Sequence, residues 1–232
     1  KSTIALDAVT GTNMGPRSPN TVYSYLHRVT GEYLSQTGMT QVIGGMGALG
    51  SVLAEVATKQ GATLRLDSPV ASITKTDDCV SGVTLVSGEA ISAKLVISSA
   101  DPRTTFRDLL GYQQMEVGMA RRVEHYRSRS GTAKLHLALS ALPQFVGLTD
   151  RQLAERLVIT PSMDGMERAL NPMKYNEISA QHTFDISIPS VADASLAPTD
   201  QHVLTAIVHY VPYAPDMGWE AARPLLLTQL LA

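Results

Sequence analysis

The chain predicts an α+β fold, a mixed and largely antiparallel sheet carrying helices, with some α/β character in its middle. Three observations carry that expectation. Over residues 47–60, Leu49, Val52, Leu53 and Val56 recur at helical spacing and are closed by Gly61. Residues 62–100 then change to a period of two, broken by polar turns. Beyond residue 112, further strand candidates are separated by long helical or looped connections, as in a sheet covered by helices on one face.

Taken in order, residues 1–40 are rich in Gly, Ser, Thr and Asn. They turn periodic only in TVYSYLHRVTGEYL, where Val22, Tyr25, Leu26 and Val29 fall on one helical face. After the helix over 47–60, LRL (64–66), PVASITKT, VSGVTLV and AISAKLVISSA read as a hairpin meander turning at Ser87-Gly88. Within it Leu95-Val96-Ile97 is a continuous apolar run, as expected for a strand covered on both faces. Asp101 then reads as an N-cap, with Pro102 at the first helical position of a helix ending at Gly111. A basic helical stretch, MARRVEHYRSRS, leads into GTAKLHLALSAL. There Leu135, Leu137 and Leu139 share one strand face, and Lys134 and His136 the other. RLVIT (156–160), TFDISIP (183–189) and HVLTAIVHYV (202–211) are further strands, joined by a helix around 163–170 and a terminal helix from Trp219.

A length of 232 residues suits one large domain or two small ones. Net charge is −2 and charged residues make up 17%, so neither nucleic acid nor a polybasic membrane contact is indicated. No apolar run reaches a membrane span. The single cysteine, Cys79, excludes an internal disulfide and a cysteine-based metal site, and fits a reducing compartment. Nine methionines against three phenylalanines fill a core or line a pocket for a flexible apolar ligand. The chain opens on Lys1 and stops at Ala232 inside an apparent helix, so the expectation is an interior portion of a longer polypeptide.

Gly45-Met46-Gly47-Ala48-Leu49-Gly50 spells G-x-G-x-x-G after a short apolar run, with Asp67 at the spacing of a ribose-binding acid. Three features oppose a dinucleotide site. The strand after Gly38 is short, the Gly44-Gly45 doublet is more permissive than needed, and a meander follows Asp67 in place of a second strand–helix–strand unit. His202 and His209 lie seven apart in one strand and face opposite ways, and His182 and Asp185 fail the same test, so no metal site is expected. H-E-x-x-H and G-x-S-x-G are both missing. Asp77-Asp78 reads as a solvated turn. Lys134 and His136 would contact substrate if their face lines a cavity, and solvent otherwise. Tyr210 and Tyr213 of HYVPY line a pocket or sit in the core. No catalytic residue is assigned.

The run GGMGALGSVLAEVATKQGATLRLDSPVASI…GVTLVSGEAISAKLVISSADP resembles the middle of phytoene-dehydrogenase-like FAD-dependent oxidoreductases, nearest the branch of pyridine nucleotide-disulfide oxidoreductase domain-containing proteins. The likeness continues through SGTAKLHLALSALPQF, ITPSMDGMERA, ISIPSVADASLAP and HYVPYAP, and so covers nearly the whole chain. One departure is Ser99, where the family usually has asparagine in S-N-A-D-P. The resemblance implies a substrate-binding lobe (1–45 and 103–232) and a partial FAD-binding lobe (46–102). The true nucleotide fingerprint would then lie upstream, and the glycines at 44–47 would mark a crossing between lobes. It also implies that Val70 offers backbone groups to the adenine of FAD, that the strand ending at Ala100 runs toward the nucleotide, and that the substrate is hydrophobic, of isoprenoid type. FAD belongs to the complete enzyme, and this portion alone is expected to be inactive and to hold no cofactor. The alternatives are an NAD(P)-dependent reductase using Gly45, Gly47 and Gly50, and a non-catalytic binding or assembly module. Unpaired apolar strands predict a homodimer or higher oligomer. The expected location is cytoplasmic, peripheral to a membrane, or the mitochondrial matrix in a eukaryote.

Overall fold

The computed structural model describes residues 1–35, 41–127 and 131–231. Contacts divide the chain into two compact units, Lys1–Leu53 with Arg129–Ala232, and Ala54–Ser128. The first unit opens with α1 (Ser2–Val9), which buries Ala5, Leu6, Ala8 and Val9 and has no capping side chain. Eight residues are too few for propensity alone to hold a helix, so tertiary packing forms it, and its periodicity escaped the sequence reading. Helix α2 (Thr21–Ser35) forms as expected, but its apolar stripe faces the other way. Thr21 is buried and Ser24, Tyr25 and Arg28 are half-buried, while Val22, Leu26 and Val29 are exposed. Arg28 is turned toward α1 and comes within 3.8 Å of the Asp7 carboxylate. Helix α3 (Gly45–Lys59) matches the predicted helix, yet buries none of its residues.

The second unit is a three-stranded antiparallel meander, β1 (Val70–Thr76), β2 (Cys79–Leu85) and β3 (Ala90–Ser92), in the order β1-β2-β3. Two expected strands are corrected here. Residues 64–66 and 95–99 join no ladder among the described residues, and Leu66 and Ile97 are each 87% exposed. Alternation or apolarity makes a strand only where an edge accepts it, and none of the described residues pairs with either segment. The helix after Asp101 is present as a π-helix, Arg103–Leu110. Asp101 Oδ1 accepts the Arg103 and Thr104 amides at 2.9 and 3.2 Å, and Gly111 N–H closes the far end on Phe106 O, five residues back. Helix α4 (Val117–Glu124) completes the unit.

The chain then returns to the first unit. Strands β4 (Thr132–Leu139), β5 (Leu157–Ile159), β6 (Thr183–Ser187) and β7 (His202–His209) make an antiparallel sheet ordered β4-β7-β6-β5. Helix α5 (Met163–Lys174) starts on Ser162, whose hydroxyl accepts the Gly165 amide. Helices α6 (Pro189–Ala192) and α7 (Gly218–Leu231) follow. The predicted leucine face holds. Leu135, Leu137 and Leu139 pack with Leu157, Ile186, Leu204 and Ala206, while Leu226 of α7 packs against Val208. A further cluster joins α1 and α5 around Tyr210. The fold is α+β, with mixed helices and antiparallel sheets.

Candidate functional site

Register determines what the opposite face of the β4–β7 sheet carries. Side chains alternate along each strand, so direct partners share a face. Thr132, His209 and Thr183 form one row, Lys134, Ile207, Asp185 and Val158 the next, and His136, Thr205 and Ser187 a third. This face is rich in polar groups where the other is leucine. One part of it is covered, because Val158 packs into the cluster made by α1 and α5. Lys134 and His136 lie exposed on β4, on a common face as the alternation predicted. His136 Nδ1 sits 2.9 Å from Thr205 Oγ1, which fixes one ring nitrogen and leaves Nε2 unspent on that contact.

Beside them lies an ion cluster that sequence reasoning missed. The Arg156 guanidinium forks onto both Asp185 oxygens at 2.8 and 2.7 Å, and a third nitrogen reaches Asp7 at 2.6 Å. Hydrogen bonding to Asp185 is the main cause that holds its charge more firmly than usual. The available signal was a lone arginine and a lone aspartate at otherwise apolar strand segments, RLVIT and TFDISIP. His209 is 3% exposed, and burial pushes its imidazole below the ordinary range, with Asp185 opposing and Arg156 adding. Its Nε2 and Thr183 Oγ1 are buried without hydrogen-bond partners among the described residues.

Tyr210 is buried in the α1–α5 cluster with φ 64°, an uncommon conformation for a bulky side chain, and its hydroxyl donates to Met14 O at 3.4 Å. Burial raises its phenol above the usual range. Tyr213 is exposed, and its carbonyl accepts the Trp219 indole N–H at 3.0 Å. The two tyrosines thus occupy different environments.

The glycine loop is already engaged within its own unit. Gly44 N–H donates to Asp193 Oδ2 at 2.6 Å, and Gly45 N–H to Val42 O at 2.9 Å. Both glycines have φ of +80°, and a Cβ on Gly45 would stand 3.3 Å from Leu196. Asp193 also accepts the Ser195 hydroxyl and amide at 2.6 and 3.0 Å; these bonds, with that from Gly44, hold its carboxyl below the usual range. A Cβ on Gly47 or Gly50 would meet nothing within 4 Å among the described residues. The doublet therefore makes a turn, and a carboxylate stands where a cradle would offer its amide.

In the second unit, Val70 opens β1, an edge strand, and pairs with Leu85. Ala100 lines a cleft of about 390 Å³ with Ile73, Val80, Val96, Ser98 and Phe106 among its walls. The Ser98 and Thr105 hydroxyls lie 2.7 Å apart, and Thr105 also donates to Ala100 O. Among the described residues, no group of three or more His, Cys, Asp or Glu is arranged to hold a metal, and no helix is long and apolar enough to cross a membrane.

Comparison with known proteins adds the chemistry. Residues 9–173 match the family described as flavin containing amine oxidoreductase. Pyridine nucleotide-disulfide oxidoreductase domain-containing protein 2 of Rattus norvegicus is 30% identical over 235 residues, spanning 96% of this chain and 40% of that protein. A lycopene-forming phytoene desaturase of Paracoccus sp. is 25% identical over 222 residues, 94% of this chain and 41% of the desaturase. A crystal structure of an oxidoreductase from Methanosarcina mazei superposes with a TM-score of 0.57 at 18% identity, covering 82% of this chain and 38% of that one, which shows a common fold. The chain spans about two fifths of the length of these curated relatives.

Proposed function

This chain belongs to the flavin containing amine oxidoreductase family, and we propose that it is the substrate-binding portion, with part of the flavin lobe, of an FAD-dependent dehydrogenase or desaturase of a hydrophobic, isoprenoid-type substrate. The observation that carries this reading is a family match running through both compact units, together with relatives that include phytoene desaturases. The residues of the second unit suit a flavin nucleotide in kind. As an edge strand, β1 keeps one row of backbone groups outside its ladder, which supports Val70 as an adenine contact. The cleft at Ala100 is apolar with two hydroxyls at its rim, which supports that residue near the nucleotide. Bound flavin supplies a two-electron acceptor for hydride from carbon. The chain's own part is to bind and orient substrate, and the candidates for that contact are Lys134 and His136 on the exposed face of β4.

The NAD(P) reading is weakened by Asp193, whose carboxylate occupies the Gly44 amide and would repel a diphosphate. The chain alone is expected to be inactive and to self-associate. Three measurements test this set. The full-length protein should purify with stoichiometric flavin, and phytoene should bleach it without oxygen. The isolated chain should leave FAD fluorescence unquenched at micromolar concentration. An NADH-induced thermal shift abolished by Gly47→Val would instead favour the reductase, and a full-length protein without flavin would favour a binding module.

A further inference from the structure

Helices α1 and α2 lie in the same compact unit and leave space between them. Ala5 and Ala8 of α1, Val22 and Tyr25 of α2 and Met163 of α5 line a cavity of about 290 Å³. Each helical pair is spaced i, i+3, so each helix turns one face to the cavity. Alanine at both α1 positions leaves room that a larger side chain would take. Ile4 and Val22, also in the lining, are exposed, so the cavity opens to solvent across an apolar rim.

The lining disfavours polar ligands. Thr21 is buried in it, and its hydroxyl already donates to Ser18 O at 3.1 Å. Among the described lining residues only Lys1 is charged, and it is exposed. A polar group drawn inside would give up water for walls of mainly apolar side chains, whereas hydrocarbon gains by leaving water. An apolar cavity of about 150 Å³ takes one benzene ring, so this one has room for roughly ten carbons. The walls also adapt: Met163 lines the cavity, and Met166 and Met173 of the same helix pack in the cluster that contains Ala5. Unbranched methionine repacks around guests of different shape. Outside, Val22 begins an exposed apolar stripe with Leu26 and Val29 that runs about 10 Å along α2.

We propose that this cavity holds one end of the hydrocarbon substrate, and that the stripe from Val22 to Val29 carries the chain leading out of it. Cavity and stripe are continuous through Val22, which belongs to both. A helix of another copy is about 10 Å across and could cover the stripe without entering the cavity, whereas a single hydrocarbon chain fits both. The proposal rests on the isoprenoid reading for the kind of hydrocarbon, and on α1, α2 and α5 of one unit for the site. Ala8 is then a specificity-determining residue, because the side chain there sets how much of the chain end enters.

The test uses this chain with labelled Ala, Ile, Val and Met methyl groups and two probes of equal carbon count, 3,7-dimethyloctan-1-ol and decan-1-ol. The branched alcohol should shift the NMR methyl signals of Ala8, Val22 and Met163 and leave Ile186 and Ala206 of the leucine-packed core unmoved. Unmoved cavity signals, or shifts led by Ile97, overturn the proposal. Ala8→Leu should weaken binding on the order of tenfold. Should that variant disturb the core signals, Val22→Asp, at an exposed position in the first turn of α2, should weaken binding several-fold with the fold kept. Unchanged affinity in a folded variant overturns the site. Equally tight decan-1-ol assigns the cavity to straight acyl chains and overturns the isoprenoid part. Cavity signals that move on dilution without probe put a second copy there and overturn the proposal, as does a full-length protein whose cavity signals ignore the probe. A full-length protein without flavin removes the redox reading, and the probe titrations then decide the cavity on their own.

Discussion

Arg156 is the residue on which the polar sheet face is organised. It neutralises Asp185 of β6 and Asp7 of α1 together, so one side chain ties a helix to the sheet. Arg156→Met would leave the Asp7 and Asp185 carboxylates without the cation they share, with Arg28 3.8 Å from Asp7. Its side chain keeps 18% of its exposure, so the expected loss is about 2–3 kcal/mol in a urea titration, below the roughly 3–5 for a fully buried pair. His209 makes the second residue-scale prediction. Burial depresses its folded value below the ordinary one of about 6.5, so the unfolded chain takes up the proton first. Its contribution to stability is therefore complete above about pH 6.5 and is lost as pH falls through the depressed value. Thermal midpoints measured down that range should fall less steeply in His209→Gln than in the wild type.

Among the elements, β2 depends most visibly on a single position. Gly82 pairs with Thr74 on one side and Ser92 on the other, and a Cβ there would lie 2.1 Å from the Ile91 carbonyl oxygen. That neighbour is backbone and cannot rotate away. Gly82→Ala should cost more than about 1 kcal/mol and expose the β2 and β3 amides to hydrogen exchange, with the β4–β7 sheet keeping its protection. The Asp193 contact gives a gentler test, in which Asp193→Ala speeds exchange at the Gly44 amide and leaves β1–β3 unchanged. These elements also mark how far the sequence could be read. Strands β4, β6 and β7 and helix α3 announced themselves by period, and the face shared by Lys134 and His136 followed from alternation alone. What escaped depends on distant partners. Thr205 acquires its meaning from a register that pairs it with a residue 69 positions away. Arg28 of α2 meets Asp7 on another helix, and the Gly44 amide meets an aspartate 149 residues on. Periodicity describes a segment, and these contacts belong to pairs of segments.

At the scale of the whole molecule, the distribution of exposed apolar groups is uneven. The first unit buries a leucine-rich core, whereas α3 buries nothing, and segments 64–66 and 95–99 hold Leu66 and Ile97 at 87% exposure with Leu95 at 74%. Soluble monomers rarely expose contiguous apolar patches beyond a few hundred Å², and a segment outside any ladder is available to pair with another chain. Two copies of the chain can satisfy both needs by pairing these segments. The expected outcome is a concentration-dependent rise in mass by light scattering, with strong binding of an apolar dye. Replacing Leu66 and Ile97 together with Lys places charge on both segments without touching the β4–β7 core. That variant should scatter as a monomer, bind less dye and keep the circular dichroism of the parent. If the parent is already monomeric at high concentration, self-association through these segments is refuted. If the doubly charged variant still associates, the contact lies elsewhere, and the exposed stripe of Val22, Leu26 and Val29 on α2 becomes the surface to alter next.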